Sequence, residues 1–126
     1  NANDVAEEIV VDQGDNLIVV GTSLSSDFPL LNPIQPASGG SSDAFISKIS
    51  ADNQLMFSTY LGGSNSDSGL ELALDPNGDF FLTGYSNSSD FPVASTSIPQ
   101  PPTNPINGNA YATKISGDGS GILFST

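Results

Sequence analysis

Apolar residues along this chain gather in short runs, each fenced by Gly, Pro, Asn, Asp or Ser. No window keeps a 3.6-residue period between helix caps, whereas apolar runs of this length between turn clusters read as β-strands. Glu8-Ile-Val-Val-Asp12 and Leu17-Ile-Val-Val-Gly21 are uninterrupted runs joined by Gln13-Gly-Asp-Asn16, which predicts a hairpin. Ala44 to Ile49 alternates, with Phe45 and Ile49 on one face and Lys48 on the other, and Leu55 to Tyr60 follows after the turn Ala51-Asp-Asn-Gln54. Continuous apolar runs are expected of strands covered on both faces, so the first two strands are expected to be buried and the last two to lie nearer solvent.

The same signals then return. Asp12 to Pro29, DQGDNLIVVGTSLSSDFP, is nearly copied by Asp75 to Pro92, DPNGDFFLTGYSNSSDFP, which pairs Asp12 with Asp75, Gly21 with Gly84 and Phe28 with Phe91, each 63 residues apart. Leu70 to Leu74 and Phe80-Phe-Leu82 are the second unit's first two strands. Asp43-Ala-Phe-Ile-Ser-Lys-Ile-Ser50 reappears as Asn109-Ala-Tyr-Ala-Thr-Lys-Ile-Ser116 at a spacing of 66, and Leu55-Met-Phe-Ser-Thr59 as Ile122-Leu-Phe-Ser-Thr126 at 67. The extra residues fall between strands, where exposed loops tolerate insertion. A repeat of this kind is one supersecondary unit that buries its apolar faces against its neighbours. Four short antiparallel strands per unit describe a propeller blade, whereas an immunoglobulin-like sandwich predicts non-repeating strands around one core. The expected fold is therefore all-β, a β-propeller-type repeat with one four-stranded antiparallel blade over residues 1–63 and a second over 64–126, part of a larger ring or array.

Five pieces of text in fixed order carry a family resemblance: Asp43-Ala-Phe-Ile-Ser-Lys-Ile, Phe57-Ser-Thr-Tyr-Leu-Gly-Gly63, Leu74-Asp-Pro-Asn-Gly-Asp, Leu82-Thr-Gly and Ser89-Asp-Phe-Pro92. Together they resemble the SBBP-type β-propeller repeats of bacterial and archaeal surface proteins. That resemblance implies the propeller fold and an extracellular or cell-surface setting, and it brings no common catalytic set or ligand. The second Phe-Ser-Thr ends at Thr126 without its Tyr-Leu-Gly-Gly, and two blades are fewer than the four to eight of closed propellers. Two blades leave two blade faces without a partner in the chain, so copies of the chain or neighbouring blades of a longer one are the expected partners.

Composition narrows the chemistry. With 37% hydrophobic residues and 7 Phe and 3 Tyr, the chain can supply a core. Fourteen acidic residues against two basic ones give a net charge of −12, which repels phosphate backbones and anionic lipid and attracts cations. Nucleic acid is excluded as a partner on that ground, and no apolar run reaches the roughly 20 residues of a membrane span. The absence of Cys and His removes disulfides, thiolate sites and the commonest general base, so any metal must be held by oxygen. Without a His to activate a Ser or Thr, and with carboxylates too scattered to define a pair, no catalytic residue is assigned and the chain is not expected to be an enzyme.

Calcium is the cofactor with a candidate site. Asp75-Pro-Asn77-Gly-Asp79 spaces oxygen ligands around a glycine as hard-cation loops do, and Asp12 and Asp15 stand at the matching turn of the first unit. The competing explanation is that Asp, Asn and Gly occur there because hairpin turns require positive φ and side-chain-to-backbone bonds. Glu8 and Asp12, like Glu71 and Asp75, fall on one face of an innermost strand and would line an axial channel. Asn87-Ser-Ser89 is a glycosylation sequon with Asn87 as acceptor. The repeated Asp27-Phe-Pro29 and Asp90-Phe-Pro92 are expected to plug the blade end with Phe and stop the strand with Pro. Long Ser-, Pro- and Gly-rich connections, Ser23 to Asp43 and Tyr85 to Asn109, lie on the side opposite the acidic turns. The leading expectation is a structural module of an extracellular scaffold or filament; the competing one is an adhesion module that recognises a glycan or protein through those loops.

Overall fold

The structure is a computed structural model and describes residues 2–94 and 108–126. Among the described residues eight strands follow one another: β1 (Asp4–Val11), β2 (Leu17–Ser23), β3 (Asp43–Ile49), β4 (Leu55–Leu61), β5 (Asp67–Leu74), β6 (Phe80–Ser86), β7 (Asn109–Ile115) and β8 (Ile122–Ser125). They form two four-stranded sheets, β1-β2-β3-β4 and β5-β6-β7-β8, antiparallel throughout. The fold is all-β, as the repeat predicts. The two innermost strands even carry the same irregularity, a register shift between Ala6 and Glu8 in β1 and between Gly69 and Glu71 in β5. Such a bulge bends the strand and increases its twist.

Turn chemistry accounts for the hairpins. Asp15 and Gly78, 63 residues apart, take φ of 58° and 84° in the β1–β2 and β5–β6 turns, and Asn53 and Gly119 take 65° and 74° in the β3–β4 and β7–β8 turns. Asn and Asp tolerate this left-handed region better than other side chains, and Gly adopts it without steric cost.

The sheets stack face to face around one apolar cluster. Ile18, Val20, Ile46, Phe57 and Leu61 of the first sheet meet Leu72, Phe80, Leu82, Tyr111 and Ile115 of the second. The rings of Phe57 and Phe80 lie 5.6 Å apart. Gly69 in β5 passes so close to the first sheet that a Cβ there would lie 2.8 Å from Val20 Cγ2 and 3.0 Å from the Gly21 carbonyl.

Burial runs opposite to the expected order in the first blade. Ile9 and Val11 of β1 are each 57% exposed, while β3 and β4 are almost wholly buried. Two causes combine. Among the described residues no second sheet lies on the outward face of β1 and β2, whereas the segment after β2 folds back across β3 and β4. Phe28 stacks on Phe45 at 4.4 Å, its amide donates to the Tyr60 hydroxyl, and Leu31 exchanges backbone hydrogen bonds with Ser58 at the edge of β4. The second blade repeats this, with Phe91 on Tyr111 at 4.3 Å and Ala94 bridging Ser125. Asp27-Phe-Pro29 and Asp90-Phe-Pro92 therefore act as plugs, and the first long connection is pinned to its own blade. The middle of the second, 95–107, lies outside the described residues.

Candidate functional site

Each blade has a turn end, where β1–β2 and β3–β4 connect, and a joint end, where one blade passes into the next. At the turn end the Asp12 carboxylate accepts from the Gly14 and Asn16 amides and the Asn16 side chain, and it pairs with Lys48 Nζ at 2.9 Å. Burial pushes the Asp12 carboxyl up, but hydrogen bonds from Asn16, Lys48 and Gly14 outweigh it and hold it well below the usual carboxylate range. In the second blade Lys114 Nζ lies 2.9 Å from both Asp75 and Asp79, and the Asn77 and Asp79 amides donate to Asp75. The Lys114 hydrogen bond, with those amides, keeps Asp75 ionised below its ordinary value. A cleft of about 580 Å³ opens between the two turns, bordered by Asp12, Lys48, Asp75 and Gly117.

Thus the residues proposed for calcium are divided. Asp75 and Asp79 share a lysine, Asp12 faces another, the Asn77 amide closes a turn, and Asp15 supplies the left-handed residue of its own. Among the described residues no three His, Cys, Asp or Glu side chains converge. Glu8 and Glu71, paired in the sequence, also part: the Glu8 carboxylate accepts the Leu72 amide of the next blade, while Glu71 is exposed. Asn87 is half-buried, its Oδ1 against Gly108.

The joint end gathers acids that sequence reasoning passed over. Asp67 opens β5 and is wholly buried, accepting from the Ser86 and Ser88 hydroxyls and the Gly63 amide. Its counterpart Asp4 accepts from Ser23 and Ser25 in the same way, so an Asp latched by two serines recurs in each blade. Asp43 opens β3, is also wholly buried, and accepts from Gln35 Nε2 at 3.0 Å and the Gly39 amide at 2.7 Å, both through Oδ2. Burial pushes its carboxyl up, and the charge of Asp67 adds to that, against the bonds from Gly39 and Gln35. Gly62 runs between the two acids: a Cβ on it would lie 2.5 Å from Asp43 Oδ1 and 2.9 Å from Asp67 Oδ2. Recurrence points to Asp67 through Asp4; Asp43 has only Asn109 as its counterpart, and nothing local marks it.

This joint coincides with the part of the chain that known proteins recognise. Residues 57–92, from β4 through β5 and β6, match the family model described as a beta-propeller repeat, SBBP. The chain carries an SBBP β-propeller repeat. The match spans Gly62, Gly63 and Asp67, so the SBBP repeat as matched crosses the boundary between two sheets instead of coinciding with one. Comparison with curated proteins gives no match.

Proposed function

We propose that the chain is a non-enzymatic structural module of an extracellular blade array, docking further blades on its two outer faces. One observation carries the reading: equivalent positions differ in exposure according to whether a blade lies against them. Ile18, facing the second blade, is fully buried, and Phe81, 63 residues on, is 41% exposed. Leu72, facing the first blade, is 6% exposed, and its counterpart Ile9 is 57% exposed. The outer face of the second blade also presents Tyr85 and Glu71, the latter being the counterpart of the Glu8 that reaches the neighbouring backbone. Apolar patches of this kind mark association.

Two positions favour further blades over a second copy of the chain as the neighbour. Gly69 passes close against the first sheet, and its counterpart on the open face of the first blade is Ala6. Phe57 rests on Gly119, where a Cβ would lie 2.4 Å from the ring, and the counterpart turn residue is Asn53. A copy docked in the same manner would meet both added side chains. The surface setting is supported by the SBBP resemblance and the net charge of −12. Glycan or protein adhesion draws less support, since the first long connection is pinned to its own blade.

A lengthened chain tests the array. With a second copy of residues 60–126 joined after Thr126, amide hydrogen exchange in β5 and β6 of the original second blade should slow at least tenfold. Unchanged exchange there would remove the array.

A further inference from the structure

We propose that the blade joint binds a hard cation of the calcium class between Asp43 and Asp67, with Asp43 Oδ1 and Asp67 Oδ2 as its carboxylate ligands. Both acids are 0% exposed, and both border the same point on Gly62. Three of their four carboxylate oxygens are accounted for by Gln35, Gly39, Gly63, Ser86 and Ser88. The fourth, Asp43 Oδ1, is buried and has no hydrogen-bond donor among the described residues. A buried carboxylate oxygen without a donor is costly, and two buried carboxylates beside each other add repulsion to desolvation.

The chain's own cations do not relieve that charge. Its two basic residues, Lys48 and Lys114, are both held by turn-end carboxylates, and it has no His. Positive charge at the joint must therefore come from outside the side chains. The donors available are all oxygen, which selects a hard cation over a thiolate- or imidazole-seeking one. Gln35 is fixed beside the pair, its Nε2 on Asp43 and its Oε1 accepting the Gly62 amide, so one face of the site is already ordered. Glycine at 62 lets both carboxylates pack against the backbone at one point, since a Cβ there would lie 2.5 Å from Asp43 Oδ1 and 2.9 Å from Asp67 Oδ2. Because Asn109 stands where the second blade would have its Asp43, the site belongs to this joint and is not a property of every blade.

Isothermal titration of the EDTA-treated 126-residue chain with calcium chloride, with melting curves in parallel, tests this. One cation per chain is expected, with a melting temperature about 5–10 °C higher at calcium a hundredfold above Kd. Asp43→Asn should abolish both effects, and it should fold, since Asn occupies the counterpart position. Asp75→Asn, at the turn end, should leave both intact. The site is overturned if the wild-type chain takes up no calcium at millimolar concentration, if Asp43→Asn still binds, or if Asp75→Asn loses binding. The first of these would mean that the pair is neutralised by a proton instead.

Discussion

The two ends of the blades treat negative charge in opposite ways. At the turns, Asp12 has Lys48 and Asp75 and Asp79 share Lys114, all at 2.9 Å, and backbone amides complete the shell. At the joint, Asp43 and Asp67 are more deeply buried yet have only amides and hydroxyls as donors. Such donors satisfy oxygen lone pairs without cancelling charge. Asp12, held by Asn16, Lys48 and Gly14, is pulled down, whereas burial pushes Asp43, which has no lysine, up. A chain with 14 acids and two bases cannot pair them all, and this one places both bases at the same end.

Removing the turn-end cation is the strongest way to break this contrast. Lys48 also lies over the Phe80 ring at 5.4 Å and donates to the Gly117 carbonyl, so it ties the blades together as well as facing Asp12. Lys48→Met should cost roughly 3 kcal/mol in urea unfolding at neutral pH, the scale of a broken, mostly buried pair. Lys114, whose side chain is 23% exposed against 11% for Lys48, should cost less when changed in the same way. Equal losses would mean that burial does not set the strength of these pairs.

At the joint itself, Gly69→Ala places a methyl group against Val20 and the Gly21 carbonyl and should lower stability by about 1–3 kcal/mol. Ala6→Gly on the open face removes a methyl that has no blade against it and should move stability by only about 0.5 kcal/mol or less. Matching effects from the two would show that the blades do not press together as closely as β5 and β2 do here.

Asp43→Asn should stabilise the cation-free protein by about 1 kcal/mol, because it removes a buried charge while keeping an acceptor for Gln35 and Gly39. Destabilisation in EDTA would mean that the charge itself serves the fold.

The pH dependence separates Asp43 from the turn-end carboxylates by sign. Asp43 is raised, so from its ordinary 3.8 up to its raised value the folded chain holds a proton that the unfolded chain lacks, and stability falls as pH rises through that window. Asp12 and Asp75 are lowered, so their contribution is complete above 3.8 and is lost as pH falls below it. In urea midpoints measured across pH in EDTA, Asp43→Asn should lack the decline above 3.8 and keep the acid-side loss, whereas Lys48→Met should blunt the acid-side loss alone. A decline above 3.8 that survives Asp43→Asn would detach it from the joint.

Much of the fold was legible because its signals are local. Apolar runs, left-handed turn residues and the recurrence of Asp12 to Pro29 at Asp75 to Pro92 gave strands, hairpins and two equivalent units, and the Phe of each Asp-Phe-Pro became the expected plug. The order of burial was not legible. Ile9 and Val11 read as a strand covered on both faces, and they would be one if a blade stood against them, as Leu72 and Leu74 show at the joint. The candidate site was the least visible part. Asp75-Pro-Asn77-Gly-Asp79 drew notice through close spacing, whereas Asp43 and Asp67 sit 24 residues apart in unremarkable surroundings.

Sequence by itself determined which residues pleat, where the chain turns and how long one unit is, since backbone preference and side-chain period act over a few neighbouring positions. Tertiary structure alone decided which carboxylates received a lysine, which apolar faces were covered and which glycines had to be glycines. Those outcomes depend on atoms brought together from distant parts of the chain, and charge, burial and close contact are properties of the neighbours a residue acquires, not of the residue.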